Sequence, residues 1–345
     1  MDNPAEVPEF TVDIPERKQL SFKANVLRHD LLSLGVHATG LAGFSLDEQL
    51  VPDLFELSDF TLSEASTGLP IYRRYNSDIH RPLKFMFLEV AAFPQVRIMR
   101  ALMPHFTLRY PFMERCTLDT TNAVIAHNFT PSIFAAGQIN WPRHGSFARE
   151  KGFMSAALIR DPFEELAERL LFLTYLSKQP SAAAQGKNYA VLLPIVEGAD
   201  LSDTHSILAA FRKLSPEQRR LLRSPMTALF GCTPDEDVQR RHVSVALDNL
   251  ALFDAVGTRE QFADFAECVD GLIGVRAFGS HSMEKLPGTD GLQSILRDIG
   301  FVADLLDEDI ALHNFVKDAV KEGLQQERRG SEGSQEFVSL NSRVS

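Results

Sequence analysis

Cysteine is scarce in this chain of 345 residues, which has three, Cys116, Cys232 and Cys268, far apart in sequence. No CxxC pair and no His/Cys cluster at zinc spacing occurs, so the sequence predicts no structural metal. Scattered thiols fit a reducing compartment. Long hydrophobic runs are missing too, and a bilayer span needs about 18 or more apolar residues. The opening MDNPAEVPEF has no basic stretch followed by an apolar one, so it does not read as a signal peptide. These features together predict a cytoplasmic protein with no integral membrane segment. Net positive charge is also lacking. The formal charge is −11, which argues against a broad electrostatic grip on nucleic acid. No GxxxxGK and no Gly-Gly stretch offers a phosphate cradle.

What the chain does have is a core. It is 44% hydrophobic and 23% charged, as a folded globular protein should be. Short apolar runs recur: LKFMFLEVAAF (83–93), PSIFAAG (131–137), MSAALI (154–159) and ALFDAVGT (251–258). The first three read as buried strands, and the fourth as a short strand ending in a turn. Helical patterns lie among them, at 95–106, 162–178, 206–214, 215–224, 235–250, 259–274 and 301–329. Asp161 and Pro162 mark a helix start, as a cap and a first-turn proline. Ser215-Pro216-Glu217-Gln218 carries a capping-box signature. Short strands alternating with amphipathic helices predict an α/β fold with a mostly parallel central sheet flanked by helices. Residues 1–82 read as an N-terminal extension of mixed structure, 83–329 as the α/β domain, and 330–345 as a disordered tail.

The third apolar run ends in Arg160-Asp161-Pro162. Ligands of parallel sheets bind at the carboxyl ends of the strands, so Arg160 stands where a ligand is expected. The other reading is a strand-end salt bridge to Asp161, Glu164 or another acid.

Four stretches in order, LKFMFLEV…RIMRALMPHF, FAAGQINWPRHG, ALIRDPFEELAERL and VALDNLALFDAVGTREQFADFAECVDGLIG, resemble the carbohydrate sulfotransferases that use 3′-phosphoadenosine 5′-phosphosulfate (PAPS). The resemblance, to the bacterial and Golgi group, spans roughly residues 83–320. It implies a P-loop-kinase-like sulfotransferase fold and sulfuryl transfer from PAPS to a carbohydrate hydroxyl. Arg160 would then hold the 3′-phosphate, with Arg97 a second cofactor contact. Glu89 and His144 would be the candidate bases for the acceptor proton.

The sequence departs from the family at several of these points. The phosphosulfate loop has Ala92, Pro94 and Gln95 where the family has lysine and glycines. Glu168 takes the place of the serine that assists the 3′-phosphate arginine, and Gly137-Gln138 that of a Gly-His pair. Two hypotheses follow. One is an active PAPS-dependent enzyme with a glycan acceptor. The other is an inactive sulfotransferase-like protein that binds a glycan, a nucleotide or a protein partner. Gln138 and Asn140 are crevice-lining candidates or plain turn residues, and Trp141 is a stacking platform or a packing residue.

Overall fold

The computed structural model describes residues 5–91, 96–178, 187–279, 283 and 285–341. The expectations for Ala92, Pro94 and Gln95 lie outside the described residues. By packing, the chain divides into two units. The first comprises residues 1–84, 100–111 and 127–135; the second comprises 85–99, 112–126 and 136–345.

The first unit contains β1 (Glu9–Asp13), β2 (Leu20–Lys23), β3 (Val26–Leu27), α1 (His29–Ser33), β4 (Leu41–Gly43), β5 (Thr61–Glu64) and β6 (Pro70–Arg73). Four strands form an antiparallel sheet in the order β2-β1-β5-β6, and β3 pairs with β4. Alternation explains the sheet. Phe10 and Val12 of β1 are buried while Glu9 and Asp13 are exposed. The buried face joins Leu62, Val51, Leu54 and Phe60 in a small core.

The remaining strands are β7 (Lys84–Leu88), β8 (Leu108–Tyr110), β9 (Ile133–Gly137), β10 (Phe153–Ile159) and β11 (Ala255–Thr258). They form an all-parallel sheet in the order β11-β10-β7-β9-β8. Near-continuous apolar runs such as FMSAALI are what a sheet buried on both faces requires. The fold class expected from the sequence, α/β with a parallel sheet flanked by helices, is therefore observed. The chain leaves β7 toward one edge and β10 toward the other. That reversal is the topological switch point where such sheets open a crevice.

Between and after these strands run α2 (Val96–Leu102), α3 (Leu118–Ala126), α4 (Trp141–Glu150), α5 (Pro162–Ser177), α6 (Lys187–Val196), α7 (Thr204–Arg212), α8 (Pro216–Leu222), α9 (Pro225–Gly231) and α10 (Arg241–Leu250). Then come α11 (Phe262–Ile273), α12 (Thr289–Arg297), α13 (Gly300–Leu305) and α14 (Asp307–Asn341). The α14 backbone stays helical beyond Gly330, where the composition predicts a disordered tail. Asp161 caps α5 by accepting from the N–H groups of Phe163 and Glu164, and Ser215 and Gln218 form the expected capping box of α8. Both outcomes follow from the chemistry of the first helical turn.

Gly257 shows how tightly α11 lies on the sheet. A Cβ there would sit 2.6 Å from Cβ of Phe265. Gly257→Ala should therefore cost about 1–3 kcal/mol through overpacking. The urea midpoint measures this; an unchanged midpoint would show that the helix can lift without penalty.

Candidate functional site

At the carboxyl ends of β7 and β9, the second unit holds a cleft of about 1550 Å³. Glu89 and Ala91 follow β7, and Gln138 and Asn140 follow β9. Glu114, Arg115, Arg169, Tyr189, Arg219 and Arg223 add charge and one aromatic ring. The position is the one that strand polarity predicts for a ligand.

The floor is preorganised. Gln138 donates from Nε2 to the carbonyl of Ala91 at 3.0 Å, fixing the residue that follows β7. Asn140 donates from Nδ2 to the carbonyl of Cys232 at 2.7 Å and accepts from the N–H of Arg143 as the cap of α4. Gly137 has φ of 141°, a conformation that side chains resist. A Cβ there would lie 2.3 Å from Oε2 of Glu114 and 2.6 Å from the Met113 nitrogen. The glycine thus permits the chain at 113–114 to press against the end of β9.

Glu89 lines the cleft and is 4% exposed. Glu114 is open to a water-sized probe yet ringed by protein atoms, so desolvation outweighs its N–H partners and raises its pKa. Tyr189 is pushed up to about 12 by burial first and by the Glu114 and Glu89 charges next, against Arg169 and Arg115. The floor of the cleft is therefore a field of opposed charges around a phenol. It sets charged and hydrogen-bonding groups beside an apolar wall that includes Leu192, Leu214 and Val238.

The sequence candidates fall in different places. Glu89 is in the cleft. His144 is buried on α4 and lines a separate pocket of about 180 Å³ with Cys116 and Asn140. Burial, then Arg143, lowers its pKa. Arg97 is exposed on α2. Trp141 is a packing residue, 4.4 Å from the Phe253 ring and 3% exposed. Sequence reasoning missed Glu114 and Tyr189, which carried no motif, and Arg169, which lay within a quoted stretch but was given no role.

Arg160 is 1% exposed. Its Nη2 donates to Glu168 and, at 3.4 Å, to Glu164. Arg259, which follows β11, donates to the same two carboxylates at 2.8 and 3.0 Å. Lys285 pairs with Glu164 at 2.8 Å, and the Leu286 N–H donates to Glu168 at 3.1 Å. Burial pulls the Arg160 pKa down, but Glu168 and its acidic neighbours outweigh it and raise the value. For Glu168 burial works upward, and Arg160 and Arg259 bring the net shift below the usual range. Of the two sequence readings for Arg160, this geometry is that of the strand-end salt bridge, with Glu168 and Glu164 as partners. Asp161 instead bonds Arg297 at 2.5 Å. A PAPS 3′-phosphate does not fit these residues. The arginine is sealed from solvent and a carboxylate already holds its accessible donor.

Among the described residues, no group of three or more His, Cys, Asp or Glu side chains is placed to hold a metal ion, and no helix is long and apolar enough to cross a membrane. No protein-family profile and no curated protein matches the chain at a significant level.

Proposed function

We propose that this chain is a sulfotransferase-like binding protein. Its cleft at the carboxyl ends of the parallel strands takes a polar ligand of oligosaccharide size, and sulfuryl transfer from PAPS is not its chemistry. The burial of Arg160 against Glu168 carries the second half of this reading. The size and charge of the cleft support the first. A volume of about 1550 Å³ exceeds the roughly 300–1,000 Å³ of small-molecule pockets. Arg115 on the wall is exposed, stacks over Phe112 at 4.6 Å, and is left to meet an acidic or hydroxyl-rich ligand. The fold that goes with this reading is the P-loop-kinase-like sulfotransferase arrangement, and the switch point at β7 supports it. A cytoplasmic location goes with it as well.

A second reading, an active PAPS-dependent transferase acting on a glycan, draws support from Glu89 at the end of β7, where a base would face the crevice. The experiment separates the two. We expect 3′-phosphoadenosine 5′-phosphate at 1 mM to leave the melting temperature unchanged. Binding with a Kd of about 10 μM would instead stabilise by about 2.7 kcal/mol, and would return the protein to the enzyme class. A panel of neutral and acidic oligosaccharides should yield a saturable ligand whose affinity falls at least about tenfold in Arg115→Ala, the loss of one charge-assisted contact. Failure of the whole panel would remove the oligosaccharide reading.

A further inference from the structure

In the first unit two arginines, Arg109 and Arg73, lie near a single carboxylate, Asp59. Arg109 lies on β8, beside β6, and the Tyr110 hydroxyl donates to the Pro70 carbonyl at 2.8 Å, tying the two segments together. Nε of Arg109 donates to the Phe106 carbonyl at 3.0 Å. That bond fixes the guanidinium and leaves both terminal nitrogens without a bonded acceptor among the described residues. Arg73, at the end of β6, grips Asp59 in a fork, Nε to Oδ1 at 2.9 Å and Nη2 to Oδ2 at 2.5 Å. Its Nη1 likewise has no bonded acceptor among the described residues.

His80 completes the group. The Asn76 N–H donates to its Nδ1 at 3.1 Å, and Thr107 Oγ1 stands 3.1 Å from the same atom. An Nδ1 that accepts from a backbone N–H places the proton of the neutral ring on Nε2. Burial, with Arg73 and Arg109 next, lowers the pKa of His80, which keeps the ring neutral. Burial first, and Arg73 second, push Arg109 down to about 10, with only Asp59 opposing. Asp59 is already held by Arg73. Arg109 thus has the Asp59 charge nearby but no ion pair among the described residues, in a partly desolvated place where an unpaired cation is costly.

We propose that Arg109, Arg73 and His80 form a binding site for a tetrahedral oxyanion, a sulfate or phosphate monoester. A charged fork with free donors is the usual means of holding such groups. Donors from three separate side chains match three oxygens. A planar carboxylate offers two and would leave one donor unmet. Each donor is positioned by a bond to the protein, so little is left to order when the anion arrives. The site stands on other residues than the cleft and does not depend on the reading given there.

The test is calorimetric titration of the full chain with sulfate, phosphate and acetate at constant ionic strength. Saturable one-to-one binding of sulfate and phosphate, at least about tenfold tighter than acetate, is expected. Arg109→Gln should weaken it at least about tenfold, with a melting temperature no lower than that of the wild type. Asp59→Asn should tighten it, because Arg73 is released, and a gain cannot come from misfolding. Arg28→Ala, a surface change at a pair with Asp30, should leave it unchanged. A sulfated and a phosphorylated monosaccharide then identify the source. Tighter binding than the free anion assigns the site to an esterified sugar, and equal binding assigns it to the inorganic ion. Absence of a saturable site in the wild type, full retention of binding in Arg109→Gln, or acetate binding as well as sulfate would each overturn the proposal.

Discussion

Replacing Glu168 by alanine should lower the stability of the protein by about 3–5 kcal/mol, the cost of leaving one side of a buried ion pair uncompensated. Glu168 is 2% exposed and accepts from Arg160, Arg259 and the Leu286 N–H. Without it Arg160 keeps only the 3.4 Å contact to Glu164. Nε and Nη1 of Arg160 are already buried and without partners among the described residues. No further loss can be absorbed there. Alanine also opens a cavity, so Glu168→Gln is the sharper probe. It keeps the volume, removes the charge and turns a donor toward two guanidinium groups. A cost near that of alanine assigns the effect to charge; a cost below about 1 kcal/mol would mean that the cluster is only filler. The double change Arg160→Met with Glu168→Met should recover much of the loss, because well-packed apolar replacements of buried ion pairs are often neutral. Denaturant midpoints of the single and double variants give the coupling directly.

That cluster also marks where the sequence stops being legible. The strand at 154–159, the Asp161 cap and the Pro162 start follow from local chemistry, and so does the Ser215 capping box. The side of α5 that faces inward does not. Glu164, Glu165, Glu168 and Arg169 are all buried, so the helix carries charge where an amphipathic pattern expects apolar residues. Arg160 and Arg259 at the ends of β10 and β11, with Lys285, compensate Glu164 and Glu168, and Arg169 pairs with Glu165 along the helix; Arg259 lies 91 positions from Glu168. The helix Trp141–Glu150 was missed for a related reason. Its sequence, WPRHGSFARE, is polar overall, and its buried residues include His144 and Gly145. Of the candidate site, Gln138 and Asn140 were legible from their places after a strand, and Glu89 as an acid within an apolar run. Glu114 and Tyr189 reach the cleft from segments with no periodic signal. The first unit was unreadable beyond mixed structure because its strands are short, as in the two-residue β3. Short strands depend on pairing partners that local sequence does not name.

Asp309 should give the protein a pH dependence opposite to that of Glu168. It lies in the first turn of α14, is 1% exposed, and accepts from the N–H groups of Met226 at 3.0 Å and Thr227 at 2.6 Å. It thus caps α9, the helix whose Pro225, Ala228 and Leu229 line the cleft. Beside it Glu308 accepts from Ser224 and Arg223, both at 2.9 Å. Burial pushes the Asp309 carboxyl from its ordinary 3.8 up to about 7, with the N–H bonds pulling the other way and Glu165 adding to the rise. Between those two values the folded state keeps a proton that the unfolded chain has released. Stability from this group is therefore full below pH 3.8, declines as pH rises, and is lost by about pH 7. Glu168, with its lowered pKa, contributes above the ordinary carboxylate range and loses its contribution as pH falls. Asp309→Asn removes one slope and leaves the other. The stabilities of wild type and Asp309→Asn from urea unfolding at pH 5, 6, 7 and 8 should diverge by at most roughly 2.7 kcal/mol across the series, and wild type should lose ground as pH rises. A constant gap over that range would show that the carboxylate stays ionised in the folded state, held by the two N–H groups. The cleft wall would then be fixed by charge at every pH, and Asp309→Ala would cost the same at pH 5 as at pH 8.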